Sequence, residues 1–142
     1  MQAATANDLP AVLELLEANK LPTAGVRDHL ERYWLEFANE NLIGCAGLEV
    51  HGKDGLLRSV AVTEKHRSVG LGQKLIQAIL EQAKANRLAS ISLLTETAQD
   101  YFPRFGFQIS TRDALPESLS ASAEFRGACP DSAMAMTLKF DH

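Results

Sequence analysis

The chain has 142 residues, 46% of them hydrophobic and 23% charged, with a formal net charge of −4 at pH 7. That length fits one domain able to bury a core without disulfide or metal support, and the composition excludes collagen-like and disordered chains. No basic run offers a footprint for nucleic acid or anionic lipid, and no stretch nears the roughly 20 apolar residues of a membrane span.

The opening MQAATANDLP lacks the basic and apolar regions of a signal peptide. A cytoplasmic protein with neither nucleic-acid nor membrane partner is expected. Cys45 and Cys129 lie far apart without companions and read as reduced thiols. His29, His51, His66 and His142 stand at none of the short spacings usual for zinc ligation, so no metal is implied.

Asp8 can cap a first helix in which Leu9, Val12, Leu13 and Leu16 form one apolar stripe, ending near Asn19. LPTAG is a turn, VRDHLER a second short helix, and YWLEFANE a strand by its aromatic and apolar alternation. NLIGCAGLEV and LLRSVAV then read as adjacent antiparallel strands joined by HGKDG. From Leu71 to Arg87, Leu71, Leu75, Ile79 and Ala83 line one side of an amphipathic helix. SISLL follows as a strand parallel to LLRSVAV through a crossover. AQDYFPRFGF is a brief helix closed by Gly106, FQI starts another strand, and AMAMTLKF alternates as the last one. No repeat or linker interrupts the chain.

The loop TEKHRSVGLG between strand and helix carries the chemistry. The first turn of a helix exposes N–H groups with no intrahelical partner, and the helix dipole adds partial positive charge there, which suits a phosphate or pyrophosphate. Gly70 and Gly72 let the backbone approach such an anion and adopt strained φ/ψ values, and Arg67 can add a guanidinium. The same residues can also make a simple tight turn. The spacing matches neither a P-loop nor a complete dinucleotide fingerprint.

VAVTEKHRSVGLGQKL, from Val60 to Leu75, resembles the acetyl-CoA-binding signature of the GNAT superfamily of N-acetyltransferases. Its pattern is Arg/Gln-x-x-Gly-x-Gly/Ala, and Arg67, Gly70 and Gly72 occupy the fixed positions. YFPRFGF is similar to the short helix ending in an aromatic-x-x-x-Gly-Phe motif of that family. The resemblance implies an α+β fold, with a twisted, mixed but mostly antiparallel sheet of six to seven strands, about four flanking helices and a splayed parallel pair. It implies acetyl-CoA as co-substrate, its pyrophosphate on the backbone of Arg67, Ser68, Val69, Gly70, Leu71, Gly72 and Gln73. The pantetheine arm would pair with Val60, Ala61 and Val62. From Leu115 to Phe140 the chain resembles small arsenic-resistance N-acetyltransferases, themselves similar to the acetyltransferase domain of N-acetylglutamate synthases; the strand carrying Arg58 and Ser59 fits that group too.

Acetyl transfer to an amine needs an unprotonated nucleophile, a polarised carbonyl and a stabilised thiolate. Many superfamily members carry a glutamate at the place of Arg58 and a tyrosine at that of Phe102, so the usual proton-transfer groups are missing. Glu96 is the preferred base, with a solvated loop carboxylate as its alternative and Glu49 as a weaker candidate. Tyr101, one position from the family's tyrosine, is either a catalytic hydroxyl or a surface aromatic. Arg58 alternates with Leu56, Val60 and Val62, so its guanidinium shares an apolar face and must find an anion. That anion is an internal carboxylate or, in the preferred reading, the carboxylate of a substrate, with Ser59, Thr95 and Thr97 adding hydroxyls. Thr95 and Thr97 could instead cap the strand end. The expected acceptor is an amino-acid-like amine, arsenical or glutamate-like, attacking acetyl-CoA directly in a ternary complex. The alternative is a regulatory module that binds acetyl-CoA with little or no turnover. Dimers are common among relatives, and the last strand could pair across subunits.

Overall fold

Seven strands form one sheet in the order β1-β2-β3-β4-β5-β7-β6 in a computed structural model, which describes residues 1–141. His142, one of the four histidines, lies outside the described residues. The strands are β1 (Gln2–Ala3), β2 (Tyr33–Ala38), β3 (Asn41–His51), β4 (Asp54–Val62), β5 (Ser90–Thr95), β6 (Gln108–Ser110) and β7 (Met134–Lys139). The α-helices are α1 (Leu9–Ala18), α2 (Val26–His29) and α3 (Leu71–Ala85). The expected fourth helix is a single tight 3-10 turn over Phe102–Phe105, closed by Gly106 at φ +100°. Every strand expected from the alternation is present. The two-residue β1 was not expected; it is too short to carry a period.

The helix α3 buries Leu71, Leu75, Ile76, Ile79 and Ala83 against one face of the sheet, where Leu48, Leu57, Ile91, Leu93 and Met136 meet them. On the opposite face α1 and α2 cover β2 to β4, burying Val12, Leu16, Val26, Tyr33, Leu35 and Ala61. Leu56 and Ala135 pack there beneath Leu115 and Leu119 of the segment between β6 and β7. This segment folds into three short 3-10 turns, Arg112–Ala114, Glu117–Ala121 and Ala123–Arg126.

Two backbone features shape the middle of the sheet. β4 and β5 run parallel but pair only through Asp54↔Ser90, Gly55↔Ile91 and Leu56↔Ser92. Beyond Leu56 they part, as a splayed pair must. Second, the register of β4 slips against β3: Ala61 opposes Cys45 and Arg58 opposes Gly47, leaving Ser59 and Val60 across from Ala46 alone. This is a β-bulge, and Ser59 takes a left-handed φ of +59° at its centre.

The bulge overturns the expected alternation of Arg58 with Val60 and Val62. An extra residue exchanges the two faces. Arg58 therefore projects with Leu56 and Ala61, whereas Val60 and Val62 pack with the α3 core. Tyr33 lies flat over Gly47, where an added Cβ would come within 2.3 Å of its ring. The absent side chain lets the Tyr33 hydroxyl reach Ser59 Oγ at 2.7 Å and hold the bulge.

Candidate active site

Parting of β4 and β5 opens a cleft of about 540 Å³, bordered by Arg58, Ser59 and Val60 on one strand and by Leu93, Leu94 and Thr95 on the other. Glu96 and Thr97 continue its rim, and both are exposed. Lys20 and Pro22, from the α1–α2 connection, and Glu124 and Cys129, from the segment before β7, complete the wall. A second cleft of about 430 Å³ lies at the N-terminus of α3, bordered by Arg67, Ser68, Gly70, Gly72 and Gln73. Tyr101 borders both, so the two clefts meet at its ring.

The second cleft is built from the glycine-containing loop and the first turn of α3. Lys74 donates its N–H to the Gly70 carbonyl. The preceding amides of Leu71, Gly72 and Gln73 therefore have no carbonyl one turn back to bond, and no side chain caps the helix. Gly70 sits at φ +82° with open space where a Cβ would be. Its glycine is required by backbone conformation and not by a neighbouring atom. Ser68 also has a left-handed φ, +70°. Val69 is 69% exposed and does not border the cleft. Arg67 donates from Nε to the Val62 carbonyl at 3.1 Å and from Nη2 to Asn19 Oδ1 at 2.8 Å, bracing the end of β4 against α1.

Along the first cleft, the edge of β4 that faces β5 has no ladder partner from Leu57 onward. Val60 and Val62 present side chains to the α3 core, and Ala61 is buried on the other face, so these residues can meet a ligand chiefly through the main chain. The Ser59 carbonyl accepts the Cys45 thiol at 3.2 Å. The Thr95 hydroxyl accepts the Ala98 N–H at 3.0 Å, the strand-end cap that was its alternative reading. Tyr101 packs edge-on against Phe102 and Phe105 with Arg104 over its ring, and its hydroxyl lies 3.7 Å from the Cβ position of Gly72.

Arg58 meets the internal carboxylate that was its alternative partner. Its side chain is fully buried and forms an ion pair from Nη1 to Glu49 Oε2 at 2.8 Å. Nη2 donates to the Pro22 carbonyl at 3.2 Å, and Nε donates to Ser59 Oγ at 3.2 Å and faces Glu124 Oε2 at 3.5 Å. The internal carboxylate supplies the required anion: Glu49 of β3 stands across from Leu56, on the face that Leu56 and Arg58 share.

Two of the scattered histidines, His29 and His51, also converge. His51 Nε2 lies 2.7 Å and His29 Nε2 3.5 Å from Glu49 Oε1. The ligand atoms of these three residues lie within 4.8 Å of one another, the makeup of a three-ligand metal site. The Arg58 guanidinium on the same carboxylate opposes a further cation there.

The two buried carboxylates behave oppositely. Burial pushes Glu49 up, but hydrogen bonds from Arg58 and His51 and the charge of His29 outweigh it and hold the carboxyl below its usual range. Burial pushes Glu124 up to about 7; the longer contact with Arg58 only partly offsets this, and the Glu49 charge adds to it. Burial also lowers His29 and raises the Cys129 thiol to about 12, the latter helped by Glu124. Sequence reasoning missed Glu124, which reaches the cleft from a segment without helical or strand periodicity.

A family profile described as "Acetyltransferase (GNAT) domain" matches residues 29–109. The amino-acid acetyltransferase of Escherichia coli K12 is 31% identical over 127 residues, 83% of this chain and 29% of the relative. Thus the chain spans less than a third of that relative's length. Among solved structures, N-acetylglutamate synthase from Neisseria gonorrhoeae, complexed with coenzyme A and N-acetyl-glutamate, superposes with a TM-score of 0.83 at 21% identity, over 99% of this chain and 35% of that one. A Mycobacterium tuberculosis protein in complex with CoA superposes with a TM-score of 0.76 at 20% identity, over 99% and 98%.

Proposed function

Because the chain belongs to the GNAT acetyltransferase family, we propose that it is an acetyl-CoA-dependent N-acetyltransferase whose acceptor is the amine of a small amino-acid-like molecule. The observation that carries this is the junction at Tyr101 of an anion-suited helix terminus with a cleft opened by two parting strands. The pyrophosphate sits on the bare amides at the start of α3, and the pantetheine arm runs along the unpaired edge of β4. This brings the thioester to the level of the Ser59 bulge, where an unpaired backbone group can serve the carbonyl oxygen. Tyr101, at the elbow, is placed to give the departing thiolate a proton.

The acceptor shares this cleft, whose full volume of about 540 Å³ falls within the size range of small-molecule sites. Arg58 is engaged internally, so Lys20 at the rim takes the acceptor's carboxylate, with Thr97 beside it. An amino-acid acceptor agrees with the names of the E. coli relative and the gonococcal enzyme, and arsenical and glutamate-like amino acids are the first to try. The setting is cytoplasmic. Holding both substrates in one passage can itself lower the barrier substantially.

The test is release of free coenzyme A thiol across a panel of amino acids that includes arsenical and glutamate-like members. Turnover with at least one is expected, with Lys20→Ala raising KM for that acceptor about tenfold and leaving KM for acetyl-CoA unchanged. Tight acetyl-CoA binding without turnover on any amine would instead mark a regulatory module.

A further inference from the structure

Resting on that reading, we propose that Glu124, on the turn before β7, takes the proton of the acceptor amine. Glu124 is 4% exposed and borders the cleft where β4 and β5 have parted. Glu96, the other carboxylate on that border, is solvent-exposed at the rim.

Its place in the wall singles Glu124 out. The groups facing it are Arg58 from β4, Glu49 from β3, Tyr33 from β2 and Cys129 from its own segment. Burial drives the Tyr33 hydroxyl and the Cys129 thiol upward, so both are neutral near pH 7. Arg58 is shared, at 2.8 Å from Glu49 and 3.5 Å from Glu124. Burial in the cleft wall, only partly offset by that longer contact, holds the Glu124 proton to about pH 7, close to the value wanted of a base working at neutral pH. An ammonium entering the cleft brings a second positive charge to it.

The transfer then balances. The ammonium gives one proton to the Glu124 carboxylate, and the free amine attacks the thioester carbonyl. A C–N bond forms and the C–S bond breaks, the electron pair leaving on sulfur. The Tyr101 hydroxyl gives its proton to the thiolate and the second proton on nitrogen restores the tyrosine, giving the amide and free thiol, and Glu124 releases its proton to water. Because the ammonium is the form consumed, wild-type kcat/KM for the acceptor rises through about pH 7 and declines above the acceptor's own pKa.

The experiment measures that profile at saturating acetyl-CoA for wild type, Glu124→Gln and Glu124→Asp, with acetyl-CoA affinity by calorimetry alongside. Glu124→Gln should lose roughly 100-fold or more at neutral pH, the lower part of the range for general-base removal. It should also lose the limb near pH 7, its rate climbing steadily to the acceptor's pKa, while acetyl-CoA affinity stays unchanged. Glu124→Asp should retain the limb and decides the matter if the glutamine variant does not fold. A limb that survives in folded Glu124→Gln overturns the assignment and leaves the transferase reading standing; its disappearance in Glu96→Gln would give the role to Glu96. A wild type that binds acetyl-CoA and acetylates nothing overturns the transferase reading and this role together.

Discussion

Arg58 shows how far a single side chain could be read before its surroundings were known. A guanidinium on an apolar strand demands an anion, and that demand follows from its neighbours in the chain alone. Which anion it finds depends on the register that sets Glu49 of β3 across from Leu56, and on Glu124 arriving from a distant turn. Its buried pair with Glu49 makes Arg58 a structural residue first. Arg58→Met should lower the stability to urea by about 3–5 kcal/mol at neutral pH, because two buried carboxylates, Glu49 and Glu124, would lose their guanidinium. A loss under about 1 kcal/mol would show that the pair carries little.

Among the elements, the long helix and the long strands were readable because their faces repeat every 3.6 or two residues. The three 3-10 turns between Arg112 and Arg126 were not, since so short a turn presents no repeating face. The loop entering α3 takes the strained backbone that its glycines were expected to allow. Gly70 has room for a side chain, yet its φ of +82° charges any other residue about 1–2 kcal/mol. Gly70→Val should therefore cost roughly that much stability, while the reshaped loop weakens acetyl-CoA binding tenfold or more by calorimetry. Unaltered affinity would mean that the carrier's phosphates rest elsewhere.

For the whole molecule, the antiparallel pair β3–β4 followed from the loop between them and the single parallel pair from the crossover through α3, whereas the insertion of β7 between β5 and β6 did not. The wall formed by Glu124 and Cys129 did not, because it depends on how the segment before β7 folds across the sheet. That wall gives stability a pH dependence. Glu124 binds its proton more tightly folded than unfolded, so its contribution is complete below about pH 4.5 and disappears as pH rises through about 7. The loss is on the order of 3 kcal/mol. Glu49 acts in the opposite sense: its contribution holds above about pH 4.5 and disappears as pH falls through its lowered folded value. Melting temperature should fall for wild type between pH 5 and 7.5, and Glu124→Gln should flatten that decline; parallel slopes for the two proteins would contradict it. The parallel seam has a mechanical side as well. With three rungs joining one half of the sheet to the other, the ladder there resembles a zipper left mostly open. A guest lying along the bare edge of β4 takes the place of the missing teeth, so loading the pocket also fastens the scaffold.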